Sequence, residues 1–152
     1  TLGFSSTDLL IALLITQFVA FPGTLLINKI SDYFTCEKAI LLCLITYLVI
    51  TLMAYFLNSI FGFYLISSLI GLVQGGIQAL SRSYYARLIP DNKHSQYFGI
   101  YNMLGKFAAL LGPLLVGFVT YTTHDSRLGI LSIALFFIVG IYFFLLASKA
   151  RI

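Results

Sequence analysis

Charged residues are missing from four long windows of this sequence. No Asp, Glu, Lys or Arg occurs in residues 9–28, 39–81, 107–124 or 128–148. A helix needs about 20 apolar residues to cross a ~30 Å hydrocarbon core. The four windows therefore have room for one membrane span, two spans, most of one span and one span.

The overall composition agrees with this pattern. Hydrophobic residues make up 60% of the 152 residues and charged residues only 9%, whereas a soluble domain has roughly 25% charged residues. A soluble protein of this length would show amphipathic helices with charged outer faces. We therefore predict an integral, multi-pass membrane protein with an all-α fold, a bundle of transmembrane helices embedded in a lipid bilayer.

Five spans account for the sequence. They cover about residues 7–30, 37–57, 60–85, 95–121 and 126–148. The second and third are separated only by the turn-forming residues Asn58, Ser59 and Gly62. Residues 1–152 are thus predicted to form one transmembrane bundle.

Basic residues in the loops indicate an orientation. One side of the predicted bundle carries Lys29, Lys38, Arg82, Arg87, Lys93, Lys149 and Arg151. The other side carries Arg127 alone, and Lys106 lies within a span. By the positive-inside rule the first side is cytosolic, so we expect a cytosolic C-terminus. Five spans that start outside the cell also suggest that an upstream part of the protein lies beyond this sequence.

Several function classes find no support. The net charge of +4 comes from basic residues scattered at span ends, without a nucleic-acid-binding motif, so we expect no nucleic acid partner. Cys36 and Cys43 have no metal-ligand spacing, and we predict neither a metal nor a cofactor. His94 and His124 fall on opposite sides of the membrane, and no catalytic motif is found. We therefore predict that the protein is not an enzyme.

The third span has two different faces. Small residues recur every four positions at Ser67, Gly71, Gly75 and Ala79. Such a stripe lets another helix approach closely, and we assign Gly71, Gly75 and the adjacent Gly76 to helix packing. A neighbouring line carries Gln74, Gln78 and Arg82, also four apart, so that their side chains stack. These residues either line a cavity or only hydrogen-bond to adjacent helices.

The fourth span contains a deep cation. Lys106 lies about 16 Å along the helix axis from Ser95, at 1.5 Å per residue, and Asn102 precedes it by one turn on the same face. Ionisable groups at such depth are costly and usually functional. Its counterion would be a carboxylate from outside this sequence or a substrate anion, or the lysine snorkels to the interface without a role. We assign Gly105, Gly112 and Pro113 to packing and bending of this span.

A short charged loop joins the first two spans. Asp32 in this loop could pair with Arg82, as a latch that breaks and reforms when helices rock, or cap a helix end. A solvated loop charge is the alternative. In the first span, Pro22 marks a bend.

The sequence around the third and fourth spans resembles a known family. The segments that carry the likeness are Gly75-Gly76-Ile77-Gln78-Ala79-Leu80-Ser81-Arg82-Ser83, Pro90, Phe98-Gly99-Ile100-Tyr101, Gly105-Lys106-Phe107-Ala108 and Gly112-Pro113. They are similar to the autophagy-related vacuole effluxer-like branch of the major facilitator superfamily. The resemblance implies that the five spans are helices eight to twelve, with the N-terminal bundle and helix seven outside this sequence.

The superfamily's loop pattern, Gly-x-x-x-Asp-Arg-x-Gly-Arg, is degenerate in this chain. Asn28 stands at its first Gly, Asp32 matches its Asp, and Tyr33 and Thr35 replace its first Arg and second Gly. The resemblance implies a cytosolic gate at this loop, for which we name Asp32 and Arg82.

The resemblance implies a secondary transporter that works by alternating access with a six-helix N-terminal half. Gln74, Gln78, Asn102 and Lys106 are the candidates for the substrate pathway. The substrate would be a small solute such as an amino acid or another carboxylate, with a proton or ion as possible coupling partner. The membrane would be a bacterial cell (inner) membrane, or the vacuolar membrane in a fungus. The alternative is a non-transporting scaffold or sensor that keeps the transporter fold.

Overall fold

Five long α-helices form the structure, a computed structural model that describes residues 5–149 apart from the side chain of Asp91. In chain order they are α1 (Ser6–Tyr33), α2 (Cys36–Tyr55), α3 (Ile60–Ala86), α4 (His94–Thr123) and α5 (Ser126–Lys149), with a 3₁₀ turn at Asp91–Lys93 before α4. No strand occurs in the described residues. The all-α fold is confirmed, and each helix overlaps one predicted span. Arg151, counted above among the basic residues, lies outside the described residues.

Local hydrogen bonds define where the helices begin and end. At the start of α1 the Ser5 hydroxyl accepts from the Asp8 amide, and the Asp8 carboxylate accepts from the Ser5 amide at 2.9 Å. Thr35 and Ser59 cap α2 and α3 in the same way, each accepting from the amide three residues later. His124 takes a left-handed conformation (φ 56°) and ends α4. These caps satisfy amides that would otherwise lack partners.

The helices lie in the spatial order α1, α3, α2, α5, α4. Helix α3 packs against α1 and α2, while α5 packs against α2 and α4. The buried core is formed mainly by α2 and α3, with one residue of α1: Ile27, Ala39, Ile40, Cys43, Ile50, Ile66, Val73 and Leu80. Helix α4 has no buried residue. It therefore lies at the edge of the bundle, and its side towards α3 is not packed against that helix over most of its length.

Helices α1 and α3 approach so closely that side chains are excluded from their contact. A Cβ atom added at Gly71 would stand 2.5 Å from the Thr16 carbonyl oxygen, and one added at Gly23 would overlap the backbone of Leu72. The Thr16 hydroxyl also donates to the Ser67 carbonyl oxygen at 3.1 Å. Small residues thus bring two backbones together, which is the usual basis of helix association in lipid.

Hydroxyl groups inside the helices are satisfied within their own helix. Eight of them donate to the carbonyl oxygen four residues earlier: Thr16, Thr24, Thr46, Thr51, Ser67, Ser68, Thr122 and Thr123. Throughout residues 5–149, no buried side-chain nitrogen or oxygen lacks a hydrogen-bond partner. A hydrocarbon environment requires such internal hydrogen bonding, because no water is available to satisfy polar groups.

The outer surface of the bundle is strongly apolar. Phe18 is 77% exposed, Phe21 73% and Phe118 68%, and they lie among many exposed leucines. A water-soluble monomer rarely exposes so extended an apolar surface. All five helices are long and apolar enough to cross a membrane. The protein is therefore an integral membrane protein.

The glycine contact gives a direct test of the α1–α3 packing. We expect Gly71→Ala to destabilise the protein by about 1–3 kcal/mol, because the new methyl group meets backbone atoms of α1 that cannot move aside. The free energy of unfolding in mixed detergent micelles measures this loss.

Gly140→Ala is the matched control, because nothing in the described chain lies within 4 Å of its added Cβ atom. It should be neutral or stabilising by up to about 1 kcal/mol, since alanine is the better helix former. Equal stability losses for the two variants would contradict the packing described for α1 and α3.

Candidate functional site

A polar cleft lies between α3 and α4. Its volume is about 470 Å³, and its lining residues are Gly75, Gln78, Ala79, Arg82 and Tyr101. Gln78 and Arg82 are exposed and lie one helical turn apart on α3. The i, i+4 spacing of glutamine and arginine therefore brings two strong hydrogen-bonding groups into one cleft.

Aromatic residues close one end of this cleft. The Tyr85 ring stacks on Tyr101 with ring centroids 4.8 Å apart and meets Phe98 edge-on at 5.7 Å. The Tyr85 hydroxyl donates to the Tyr97 carbonyl oxygen at 3.2 Å. Beyond this aromatic contact α4 packs along α5 and not along α3 in the described part of the chain. The two helices thus touch at one end and leave the cleft open above it.

This closed end is also where most basic residues of the bundle lie, and we call it the basic end. It comprises the α1–α2 turn, the α3–α4 connection and the end of α5. The Arg82 guanidinium donates to the Asn102 side-chain oxygen at 3.4 Å there. Two of the predicted residues from different spans, Arg82 and Asn102, are therefore neighbours.

The pairing of Arg82 with Asn102 defines the relative positions of the antiparallel helices α3 and α4. One turn further from the basic end, Gln78 follows on α3 and Lys106 follows on α4. Each lies about 6 Å along its axis from the Arg82–Asn102 pair, at 1.5 Å per residue. Lys106 is exposed, and no hydrogen bond or ion pair joins it to another described residue.

The remaining residues predicted to line the pathway or form the gate are less closely associated with the cleft. Gln74 is half-buried, one turn beyond Gln78 on α3. Asp32 lies exposed in the last turn of α1. Among the described residues no ion pair links Asp32 to Arg82, whose guanidinium is bonded to Asn102 instead.

The residues assigned to packing and bending fall into two groups. Gly71, Gly75 and Gly76 press against α1, and a Cβ atom at Gly76 would stand 2.5 Å from that of Ile27. At Gly105 and Gly112 an added Cβ atom would have no described atom within 4 Å. Helices α1 and α4 continue through Pro22 and Pro113 respectively.

Sequence reasoning missed a carboxylate that ties three helices together at the basic end. Glu37, in the first turn of α2, accepts a hydrogen bond from the Tyr84 hydroxyl of α3 at 2.8 Å. It also accepts one from the Ser148 hydroxyl of α5 at 2.9 Å. Its half-buried position makes these strong, charge-assisted bonds. The available signal was an acidic residue at the very start of an apolar span.

Two further contacts hold the opposite end of the bundle. The Tyr64 hydroxyl donates to the Asp8 carboxylate at 3.0 Å, joining α3 to α1. The Arg127 guanidinium donates to the Leu57 carbonyl oxygen at 3.2 Å and to the Asn58 side-chain oxygen. The α2–α3 turn is thereby joined to α5, so both ends of the five-helix bundle are fixed by polar contacts.

The cleft lining offers groups that can hydrogen-bond to a polar solute. The cleft offers a guanidinium, an amide and a tyrosine, without a nucleophile paired to a base. Nowhere in residues 5–149 do three His, Cys, Asp or Glu residues group as a metal site would require. Five apolar helices with a polar cleft between two of them define a polytopic membrane protein, and this cleft is its candidate site.

Comparison with known proteins gives the family. The family model described as "Vacuole effluxer Atg22 like" matches residues 1–151. The chain is 38% identical over 140 residues to a protein named as the uncharacterized MFS-type transporter YxiO of Bacillus subtilis, which covers 92% of this chain. The chain belongs to the vacuole effluxer Atg22-like family, in agreement with the resemblance identified from its motifs.

Fungal relatives match a shorter part of the chain. Autophagy-related protein 22 of Kluyveromyces lactis is 35% identical over 81 residues, 53% of this chain. The Saccharomyces cerevisiae protein of the same name is 36% identical over 74 residues, 49% of this chain. The chain spans 33% of the length of the Bacillus relative and 14–16% of these fungal relatives. No solved structure matches the chain significantly.

The Glu37 contact can be tested through its tyrosine donor. We expect Tyr84→Phe to lower the free energy of unfolding by about 1–2 kcal/mol, because a carboxylate loses a hydrogen-bond donor between packed helices. Unfolding in mixed micelles measures the change.

Tyr55→Phe serves as the control for Tyr84→Phe, since the Tyr55 hydroxyl makes no hydrogen bond to a described residue. Its effect should stay within about 0.5 kcal/mol. If Tyr84→Phe were as harmless as Tyr55→Phe, the contact would not stabilise the bundle.

Proposed function

We propose that the protein is a secondary transporter of the major facilitator type, which moves a small solute across a membrane by alternating access. The observation that carries this proposal is the polar cleft between α3 and α4 in a chain of the Atg22-like family. Arg82 lies in this cleft, and ionisable side chains within membrane spans are costly and usually mark substrate or ion pathways. Amino acids and other carboxylate-bearing metabolites are the proposed substrates.

The proposed pathway is lined by Gln74 and Gln78 of α3 and by Asn102 and Lys106 of α4. Gln78 lines the cleft, and the side-chain contact of Arg82 with Asn102 places α4 opposite it. Lys106 lies one turn further in on the same face of α4 as Asn102. In the proposed pathway these residues present amide groups and one cation towards the same space.

The proposed gate lies at the basic end and involves Arg82 and Asp32. Here the guanidinium is bonded to Asn102 and the Asp32 carboxylate is exposed. In the proposed cycle the two residues approach when the helices rock and separate when the cleft opens. Both are at helix ends, where small rotations of a helix change distances most.

The protein's proposed surroundings follow from its relatives. Because the Bacillus relative is about three times as long as the matched segment, we infer that this bundle works with a six-helix N-terminal half. A proton or ion is the proposed coupling partner. A bacterial cell membrane is the proposed location, since the bacterial relative covers most of this chain, and a fungal protein would lie in the vacuolar membrane. The basic end would face the cytosol.

Lys106→Ala tests the pathway. We expect transport by the intact protein in reconstituted vesicles to fall about tenfold or more, because a cation that contacts a charged substrate group contributes roughly 1.5–3 kcal/mol. Initial rates across a panel of radiolabelled amino acids and carboxylates measure the loss.

Lys93→Ala removes another exposed lysine, from the 3₁₀ turn outside the cleft, and should leave those rates unchanged. Unchanged transport in Lys106→Ala, with both variants equally well folded, would remove Lys106 from the pathway.

The orientation has its own test. In a background without Cys36 and Cys43, we expect Lys93→Cys to react with a membrane-impermeant maleimide only when the cytosolic face is accessible, as in inverted vesicles. His124→Cys, in the turn at the opposite end of α4, should react only from the other face. Labelling of Lys93→Cys in intact cells would reverse the proposed topology.

A further inference from the structure

The cleft between α3 and α4 has charge of one sign in the described part of the chain. Arg82 lines it, and no carboxylate does. Asp8 and Asp125 lie at the opposite end of the bundle, and Glu37 is bonded to α3 and α5 away from the cleft lining. Asp32 is exposed on α1. Asp91 lies in the 3₁₀ turn between α3 and α4, and its side chain is outside the described part of the structure. The described lining of the cleft thus holds one guanidinium and one amide without a carboxylate.

A second cation lies close to Arg82. Asn102 contacts Arg82, and Lys106 follows Asn102 after four residues, about 6 Å along α4. Residues four apart share a helix face, so Lys106 emerges on the side of α4 that carries Asn102. The two cations therefore lie about one helical turn apart along the α3–α4 pair, with Arg82 in the cleft lining and Lys106 just outside it.

Arg82 has hydrogen-bonding capacity left for a ligand. Its guanidinium carries five N–H donors in a planar fork, and one of them makes a long bond of 3.4 Å to Asn102. Bonds of this length are weak, so Asn102 orients the guanidinium without saturating it. Gln78, one turn away in the same lining, adds an amide. A planar fork is well suited to bidentate binding of a carboxylate.

We propose that the α3–α4 cleft is an anion site that selects small carboxylates of net negative charge, with Arg82 as the residue that binds the carboxylate. Lys106 supplies the second positive charge, and Gln78 hydrogen-bonds to the solute between them. This assignment rests on the proposed transporter function and deepens it, because it names the charge class of the solute. It also gives Arg82 a binding role in addition to its position at the gate.

A binding role and a purely gating role of Arg82 have different consequences. A gate residue affects the movement of every solute, so its loss lowers all transport rates by the same factor. A residue that binds a carboxylate affects solutes according to their charge. The ratio of two matched solutes therefore separates the two roles, and L-glutamate and L-glutamine are such a pair because they differ only in a carboxylate and an amide.

The experiment measures binding and transport of both solutes by the intact protein. Binding is measured in detergent as the ligand concentration that half-saturates the rise in melting temperature, and transport as initial uptake into vesicles. We expect the wild type to favour glutamate, and Arg82→Gln to reduce that preference about tenfold to a hundredfold, as loss of a charge-assisted bond predicts. Arg82→Lys should keep part of the preference.

Arg87→Gln is the matched control, since it makes the same change at the C-cap of α3, outside the cleft lining. It should leave the preference for glutamate intact.

The outcomes distinguish the two proposals. Equal losses for glutamate and glutamine in Arg82→Gln, or no preference for glutamate in the wild type, would overturn the anion site. Absence of binding of either solute would also overturn it. Preserved, Arg82-dependent glutamate binding without transport of any solute would keep the anion site and overturn the transporter function.

Discussion

The contact between α1 and α3 through glycines determines which face of α3 is available for function. Gly71 and Gly75 lie so close to the α1 backbone that no side chain fits between them. Tyr84, on another face of α3, is directed to α2 by its bond to Glu37. With two faces occupied by neighbouring helices, Gln78 and Arg82 are left on the third face, and this face forms one wall of the cleft.

Helix α4 forms the other wall of the cleft, and few contacts hold it against α3. In lipid, apolar side chains gain little from leaving the hydrocarbon for another helix, so helices associate through close backbone contacts and polar bonds. Between α3 and α4 such contacts occur at the basic end, where Tyr85 packs on Tyr101 and Arg82 meets Asn102. Gly105 and Gly112 have open space in place of a partner. The cleft is therefore the consequence of a polar and aromatic contact confined to one end of the helix pair.

Much of the fold could be predicted from the sequence, because charge-free windows and caps are local features. The shared helix face of Gln74, Gln78 and Arg82 could also be predicted, since it depends only on the helical repeat. The contacts between helices were not. Glu37 binds Tyr84 and Ser148, which are 47 and 111 residues away along the chain, and five similarly apolar helices give no pattern that specifies which of them are neighbours. For the same reason, Asn102 could not be distinguished from Asp32 as the neighbour of Arg82 on sequence alone.

If the cleft is the proposed anion site, its charges couple the binding of a solute to the closing of the cleft. While the cleft is open to water, Arg82 and Lys106 are hydrated and their mutual repulsion is screened. Closing the cleft removes that water, and an uncompensated cation in an apolar environment is costly. A bound carboxylate supplies the opposite charge and removes much of this penalty, whereas an empty cleft would close with two unpaired cations. The anionic solute itself would thus favour closure. Closure of an empty cleft, or of one that holds a neutral solute, would be less favourable.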